Sequence, residues 1–200
     1  MIARAALAAA CLLGGAALAQ NAPPLPGAGA GTPFPLALGG AFELTDQNGA
    51  PRGHADPDGN LQLLFFGYAN CAAICTVALP LMADITDIAA EDGLTVTPVM
   101  VTVDPARDTV ASIGPALRDY HDDFVGLTGS EDDLAPVYDL FSVDHSVIFH
   151  DPEYGDVYAH GSHIYLLDGQ GEVLTMLPPV LDADHAAGIV ATYAGPPLEG

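Results

Sequence analysis

Apolar runs and amphipathic segments alternate along most of the chain. A compact apolar run at 61–67 is typical of a buried strand, and residues 75–90 place Val77, Leu81 and Ile85 at helical spacing. The same criteria predict further strands at 95–103, 124–127, 163–167 and 172–177, and further helices at 108–121, 131–140 and 182–193. Residues 42–49 alternate and end in Asn-Gly, which predicts a hairpin ahead of the first buried strand.

This order of strands and helices predicts an α/β layered architecture. It resembles the thioredoxin fold, which implies a central mixed sheet flanked by helices, here with an N-terminal hairpin. Gly114-Pro115 predicts a break or kink in the helix at 108–121, and residues 150–156 are expected to form a loop.

The N-terminus has the pattern of a secretory signal peptide. Residues 1–19 carry one early charge, then a small-apolar run that ends in Ala17-Leu18-Ala19. An uncleaved membrane anchor is the alternative interpretation. Residues 20–33 are rich in Pro, Gly and Ala and are expected to be a flexible tether. The predicted folded domain is therefore 34–195, exported to a bacterial periplasm.

The charge is strongly acidic, because 26 Asp and Glu residues face only four basic ones and the net charge is −22. Such a chain repels phosphate backbones and anionic lipid, so nucleic acid and polybasic membrane binding are excluded as functions. The membrane is expected to matter only through a partner or an uncleaved N-terminus.

Two cysteines, Cys71 and Cys75, remain after the predicted cleavage removes Cys11. They are expected at a strand-to-helix turn, where positions i and i+4 share a helix face and the helix N-terminus favours thiolates. A thiolate is both the nucleophile of disulfide exchange and a soft ligand for Cu(I). An inert disulfide is the alternative, although so short a loop would stabilise little.

Histidines cluster on the C-terminal side of the chain. His160 and His163 precede the strand at 163–167, from which a side chain could reach the cysteines. An imidazole beside two thiolates suits copper or zinc better than catalysed thiol exchange. His145 and His150 flank the expected loop and raise the hypothesis of a second, weaker metal site.

Several segments together resemble the Sco/SenC copper-binding proteins of cytochrome oxidase assembly. These segments are the opening hairpin at 42–49, the strand with CxxxC at 65–75, the DPxRDT sequence at 104–109, the strand end at 126–129 and His160. The resemblance implies a thioredoxin-like domain that binds one copper, Cu(I) or Cu(II), through Cys71, Cys75 and His160. It also implies delivery of copper to the copper-site subunit of an oxidase, in exchange with other copper chaperones. Such a protein transfers metal rather than turning over a substrate.

Three alternatives stay open from the sequence. Cys71 and Cys75 could form the redox-active pair of a thiol–disulfide oxidoreductase that reduces an oxidase subunit. Cys71 could be the peroxidatic thiol of a peroxidase-like relative. His163 could complete a closed zinc site, which would make the metal structural.

Overall fold

The computed structural model describes residues 38–69, 75–153 and 155–194. The expected signal peptide at 1–19 and tether at 20–33 lie outside these residues, so both stay predictions. No helix in the described ranges has the length and apolar character needed to cross a bilayer.

Nine strands and four helices make up the described part of the domain. The strands are β1 Glu43–Asp46, β2 Pro51–Gly53, β3 Leu61–Gly67, β4 Val96–Thr102, β5 Val125–Thr128, β6 Val147–Asp151, β7 Gly155–Tyr158, β8 Ile164–Leu167 and β9 Val173–Leu177. The helices are α1 Cys75–Glu91, α2 Val110–Arg118, α3 Glu131–Leu140 and α4 Ala183–Tyr193.

Seven of the strands form one mixed sheet in the order β2-β1-β5-β4-β3-β8-β9. β3 pairs parallel with β4, and β4 with β5, whereas β8 runs antiparallel beside β3. Every residue of β3 is buried, as its continuous apolar run predicts for a central strand. The α/β architecture, with its mixed sheet and N-terminal hairpin, is confirmed.

Helix α2 runs through Gly114-Pro115 without the predicted break. Pro115 has no N–H to donate to the carbonyl of Ala111, but Ala111 is exposed, so water can satisfy that carbonyl. The helix begins after Thr109, whose backbone N–H donates to Ser112 Oγ at 2.9 Å.

Within the expected loop at 150–156, His150 and Asp151 end strand β6, and Gly155 and Asp156 begin strand β7. β6 and β7 pair antiparallel as a separate two-stranded sheet that leads directly towards His160. The interpretation as a loop was wrong because Pro152 and the charges around it masked the strand signal of Val147, Ile148 and Phe149.

Candidate metal centre

The sheet topology brings Cys75 and His160 together from distant parts of the sequence. Because β3 and β4 are parallel, their carboxyl ends share one edge of the sheet. β8 is antiparallel to β3, so β8 begins at that same edge. Cys75 opens α1 after β3, and His160 lies just before β8, so both side chains arrive at this edge.

The two side chains face each other inside the domain. Cys75 Sγ lies 3.8 Å from His160 Nε2, and the residues are only 1% and 6% exposed respectively. A buried thiol and imidazole in contact form a donor pair shielded from bulk water.

The backbone of β3 decides which ring nitrogen faces the sulfur. His160 Nδ1 lies 2.8 Å from the carbonyl oxygen of Phe66, which can only accept, so Nδ1 carries the proton and donates it. In the neutral ring, Nε2 then presents a lone pair towards Cys75. This is the tautomer and the outer hydrogen bond that metal-ligating histidines use.

Aromatic rings hold the imidazole in place from two sides. Phe65 and Tyr68 each pack edge-on to the His160 ring, with centroids 5.7 and 5.6 Å away and interplanar angles of 89°. These contacts restrict rotation of the imidazole, so its orientation is set before any metal arrives.

Gly67 makes room for the sulfur at the end of β3. A Cβ at this position would lie 2.7 Å from Phe65 Cε1 and 3.0 Å from Cys75 Sγ, both tighter than normal contact. The close approach of the backbone to the sulfur therefore requires glycine.

The separation of the two donors fits a shared metal ion. A thiolate about 2.3 Å and an imidazole about 2.1 Å from one first-row ion lie about 3.8 Å apart at a trigonal angle. Thiolate and imidazole are also the donor types that copper and zinc select. In the metal-free thiol, the same separation accommodates a weak S–H···N hydrogen bond.

Asp108 anchors the segment that leads into the cysteine pair. Its carboxylate accepts hydrogen bonds from the Ala69 amide at 3.0 Å and from Thr102 Oγ1 at 2.7 Å. Burial raises the pKa of this carboxyl above 3.8, although both hydrogen bonds act in the opposite direction. Asp108 thus fixes the chain two residues before Cys71.

Arg107 connects three parts of the site. Its guanidinium pairs with Asp104, donates to the Asp156 carbonyl at 2.6 Å and lies 5.6 Å from the centroid of the Tyr68 ring. Asp156 is on β7, so Arg107 joins the β6–β7 hairpin to the ring that packs on His160.

The described residues contain two of the three expected ligands, Cys75 and His160. Cys71 lies outside the described residues, and its role stays a prediction. Within the described ranges, no group of three or more His, Cys, Asp or Glu side chains is arranged to hold a metal. His163 is exposed, so the alternative of a closed zinc site gains no support from it.

The hypothesis of a second metal site near His145 and His150 gains no support either. His145 stacks on Tyr138 with centroids 4.3 Å apart. His150 Nδ1 instead lies 2.8 Å from the carboxylate of Asp156. The two imidazoles therefore have different partners.

Sequence analysis missed the groups that support the donor pair. The Phe66 carbonyl and the space at Gly67 are backbone features, which leave no chemical signature in a sequence. Tyr158 packs edge-on to Tyr68 at 5.6 Å, and only the strand pattern of β6 and β7 could have pointed to it.

Comparisons with known proteins show the family to which this chain belongs. The family model SCO1/SenC matches residues 30–195. The SCO2-like protein RC0895 of Rickettsia conorii is 37% identical over 140 residues, which cover 68% of this chain and 67% of that protein. The copper-bound crystal structure of Arabidopsis thaliana ScoI superposes with a TM-score of 0.72 at 27% identity, covering 78% of this chain and 98% of that one. Copper-bound ScoI of Bradyrhizobium japonicum gives a TM-score of 0.68 at 28% identity, with 78% and 99% covered. Because the family model spans residues 30–195 and a relative is 37% identical over 68% of its length, this chain belongs to the SCO1/SenC family.

Proposed function

We propose that this protein binds copper through Cys71, Cys75 and His160 and delivers it to the copper-site subunit of a respiratory cytochrome oxidase. The observation that carries the proposal is the buried Cys75–His160 pair, in which Nε2 faces the sulfur at 3.8 Å. Copper-bound structures of two family members support copper as the metal. The signal-like pattern at 1–19 supports export to the periplasm.

The donor set explains how binding and release would be controlled. Two thiolates and one imidazole suit Cu(I) in a low-coordinate site. Because the thiols must be reduced and deprotonated to bind, copper affinity depends on the redox state of Cys71 and Cys75 and on pH. Copper is thus cargo, to be passed to the oxidase subunit or exchanged with other copper chaperones.

Copper loading of the reduced protein tests this proposal, with His160→Ala and Cys75→Ala beside the wild type. We expect one copper per chain in the wild type, with sulfur-to-copper charge-transfer absorption in the Cu(II) form. Loss of one residue that only hydrogen-bonds to a metal ligand typically weakens metal binding about 10- to 100-fold. Because His160→Ala and Cys75→Ala each remove a ligand itself, we expect the copper affinity of each to fall at least about 100-fold.

His163→Ala is the matched control, because it removes an exposed imidazole only three residues away. It should load copper as the wild type does. No copper on the reduced wild type would overturn the proposal and leave thiol–disulfide exchange as the function to test. Equal loss in His163→Ala and His160→Ala would overturn the proposed ligand set.

A further inference from the structure

An acidic groove lies beside the candidate metal centre, between α3 and the β6–β7 hairpin. It encloses about 410 Å³, within the range of known binding sites. Asp104, Glu131 and Asp132 line it together with the imidazole of His145 and with Tyr138, Val147 and Tyr158. Tyr158 packs edge-on to Tyr68, and Tyr68 packs on His160, so the groove is two aromatic rings from the imidazole.

The negative charge of the groove is only partly neutralised. Arg107 pairs with Asp104, but no basic side chain among the described residues forms an ion pair with Glu131 or Asp132. Both acids are exposed in the first turn of α3. The pKa of Tyr138 is raised by burial first and then by the charges of Glu131 and Asp104, as expected where the potential is negative.

Strand β6 contributes Val147 to the groove and exposes two more apolar side chains next to it. Val147, Ile148 and Phe149 are 51%, 63% and 53% exposed, although they follow each other on one strand. Among the described residues, β6 pairs only with β7. Exposed apolar strands are rare in proteins that act alone, because their open edges invite association.

The net charge of the chain favours a basic partner protein over a second copy of the same chain at this surface. A second copy carries the same net charge of −22 and has no lysine. Of its arginines in the described ranges, Arg52 and Arg107 form internal ion pairs, which leaves Arg118 without one. A partner with the opposite charge is therefore favoured over self-association.

We infer that this groove, with the adjoining strand β6, docks a protein that presents a lysine or arginine beside an apolar patch. The cation would lie between Glu131 and Asp132, and the apolar patch would cover Val147 in the groove and the exposed β6 side chain beside it. Docking here would bring the partner next to the Cys75–His160 pair. The inference rests on the proposed function, for which it specifies the chemistry of the recipient surface.

A minimal peptide with both features tests the inference. The probe is the capped tetrapeptide Lys-Leu-Lys-Leu, titrated into the ¹⁵N-labelled protein, with Glu-Leu-Glu-Leu as the peptide control. We expect amide shifts from the lysine peptide to concentrate at 104–106, 131–138 and 145–158. Binding of both peptides with equal affinity, or shifts spread over other surfaces, would overturn the inference.

Two matched pairs of variants separate the groove from general electrostatics. E131Q/D132N should weaken binding of the lysine peptide about fivefold, as expected for two exposed ion pairs. E91Q/D92N changes the same residue types and the same charge at an exposed position elsewhere, and should leave binding nearly unchanged. Equal weakening in both variants would mean that only net charge matters and would reject the site.

Ile148→Ser tests the apolar part, with Val180→Ser as control because Val180 is 85% exposed elsewhere. Only Ile148→Ser should weaken binding. Self-association of the wild type that Ile148→Ser abolishes would identify a second copy as the occupant and overturn the inference. Copper loading of E131Q/D132N should match the wild type, so failure of peptide binding and failure of the copper proposal are separately visible.

Discussion

Strand β3 and the β6–β7 hairpin both lead to the surroundings of His160, but β3 is buried whereas the hairpin is largely exposed. On one side, β3 is buried over its whole length and supplies the Phe66 carbonyl that orients the imidazole. On the other side, β6 exposes three successive apolar side chains and belongs to a separate two-stranded sheet. The comparison teaches that the central sheet fixes the donor geometry, whereas the hairpin is free to meet a partner. Arg107 and the contact between Tyr158 and Tyr68 join the two regions.

The largest expected effect comes from disturbing the buried side at Gly67. Gly67→Ala forces a Cβ against Phe65 and Cys75, and overpacking of this kind costs about 2 kcal/mol of unfolding free energy. Gly188→Ala is the control, because nothing lies within 4 Å of the added Cβ in α4. That change should stabilise the helix by about 0.5 kcal/mol. Urea denaturation measures both, and equal stability of the two variants would contradict the close packing at the sulfur.

An intermediate effect on stability is expected when Arg107, which joins the hairpin to the site, is replaced. Arg107→Lys cannot hold Asp104, the Asp156 carbonyl and the Tyr68 ring at once, because an ammonium lacks the planar fork of a guanidinium. We expect a loss of about 1 kcal/mol in stability and faster amide hydrogen exchange in β6 and β7. Arg118→Lys is the matched control on an exposed arginine. Unchanged exchange in the hairpin of Arg107→Lys would show that the hairpin does not depend on this residue.

The smallest expected effect is the contribution of Asp108 to the pH dependence of the unfolding free energy. Because burial raises the pKa of this carboxyl, the folded state binds a proton more tightly than the unfolded state. The unfolding free energy of the wild type, relative to Asp108→Asn, should therefore fall as pH rises from about 4 through the raised pKa.

The unfolding free energy of the wild type, relative to Asp133→Asn, should change with pH in the opposite direction and rise as pH rises. Hydrogen bonds from Ser130 lower the pKa of Asp133, so its contribution is present above 3.8 and is lost as pH falls through the lowered value. Unfolding free energies measured across this pH range test both variants. If the unfolding free energies of the wild type and Asp108→Asn changed with pH in parallel, this would contradict a raised pKa for the buried Asp108 carboxyl.

The sequence alone predicted most of the strands and helices and indicated the residue types from which the site is built. The short apolar run at 61–67 predicts β3, because a run of this length is typical of a strand buried on both faces and is too short for a helix. The residue types Cys75 and His160 indicated a soft-metal site before any geometry was known, because few other side chains bind such ions. The hairpin at 147–158 was missed, since the charged residues of its turn resemble those of a loop.

Only the tertiary structure decided how these residues act together. The antiparallel placement of β8 beside β3 brings His160 to Cys75 across 85 positions, and local patterns carry no information on such pairing. The same placement leaves His163 exposed whereas His160 is buried, although the two are the same residue type. The tautomer of His160 depends on a carbonyl of Phe66, which every residue type possesses. Residue types therefore fix which donors are available, whereas strand order and backbone position fix which of them meet.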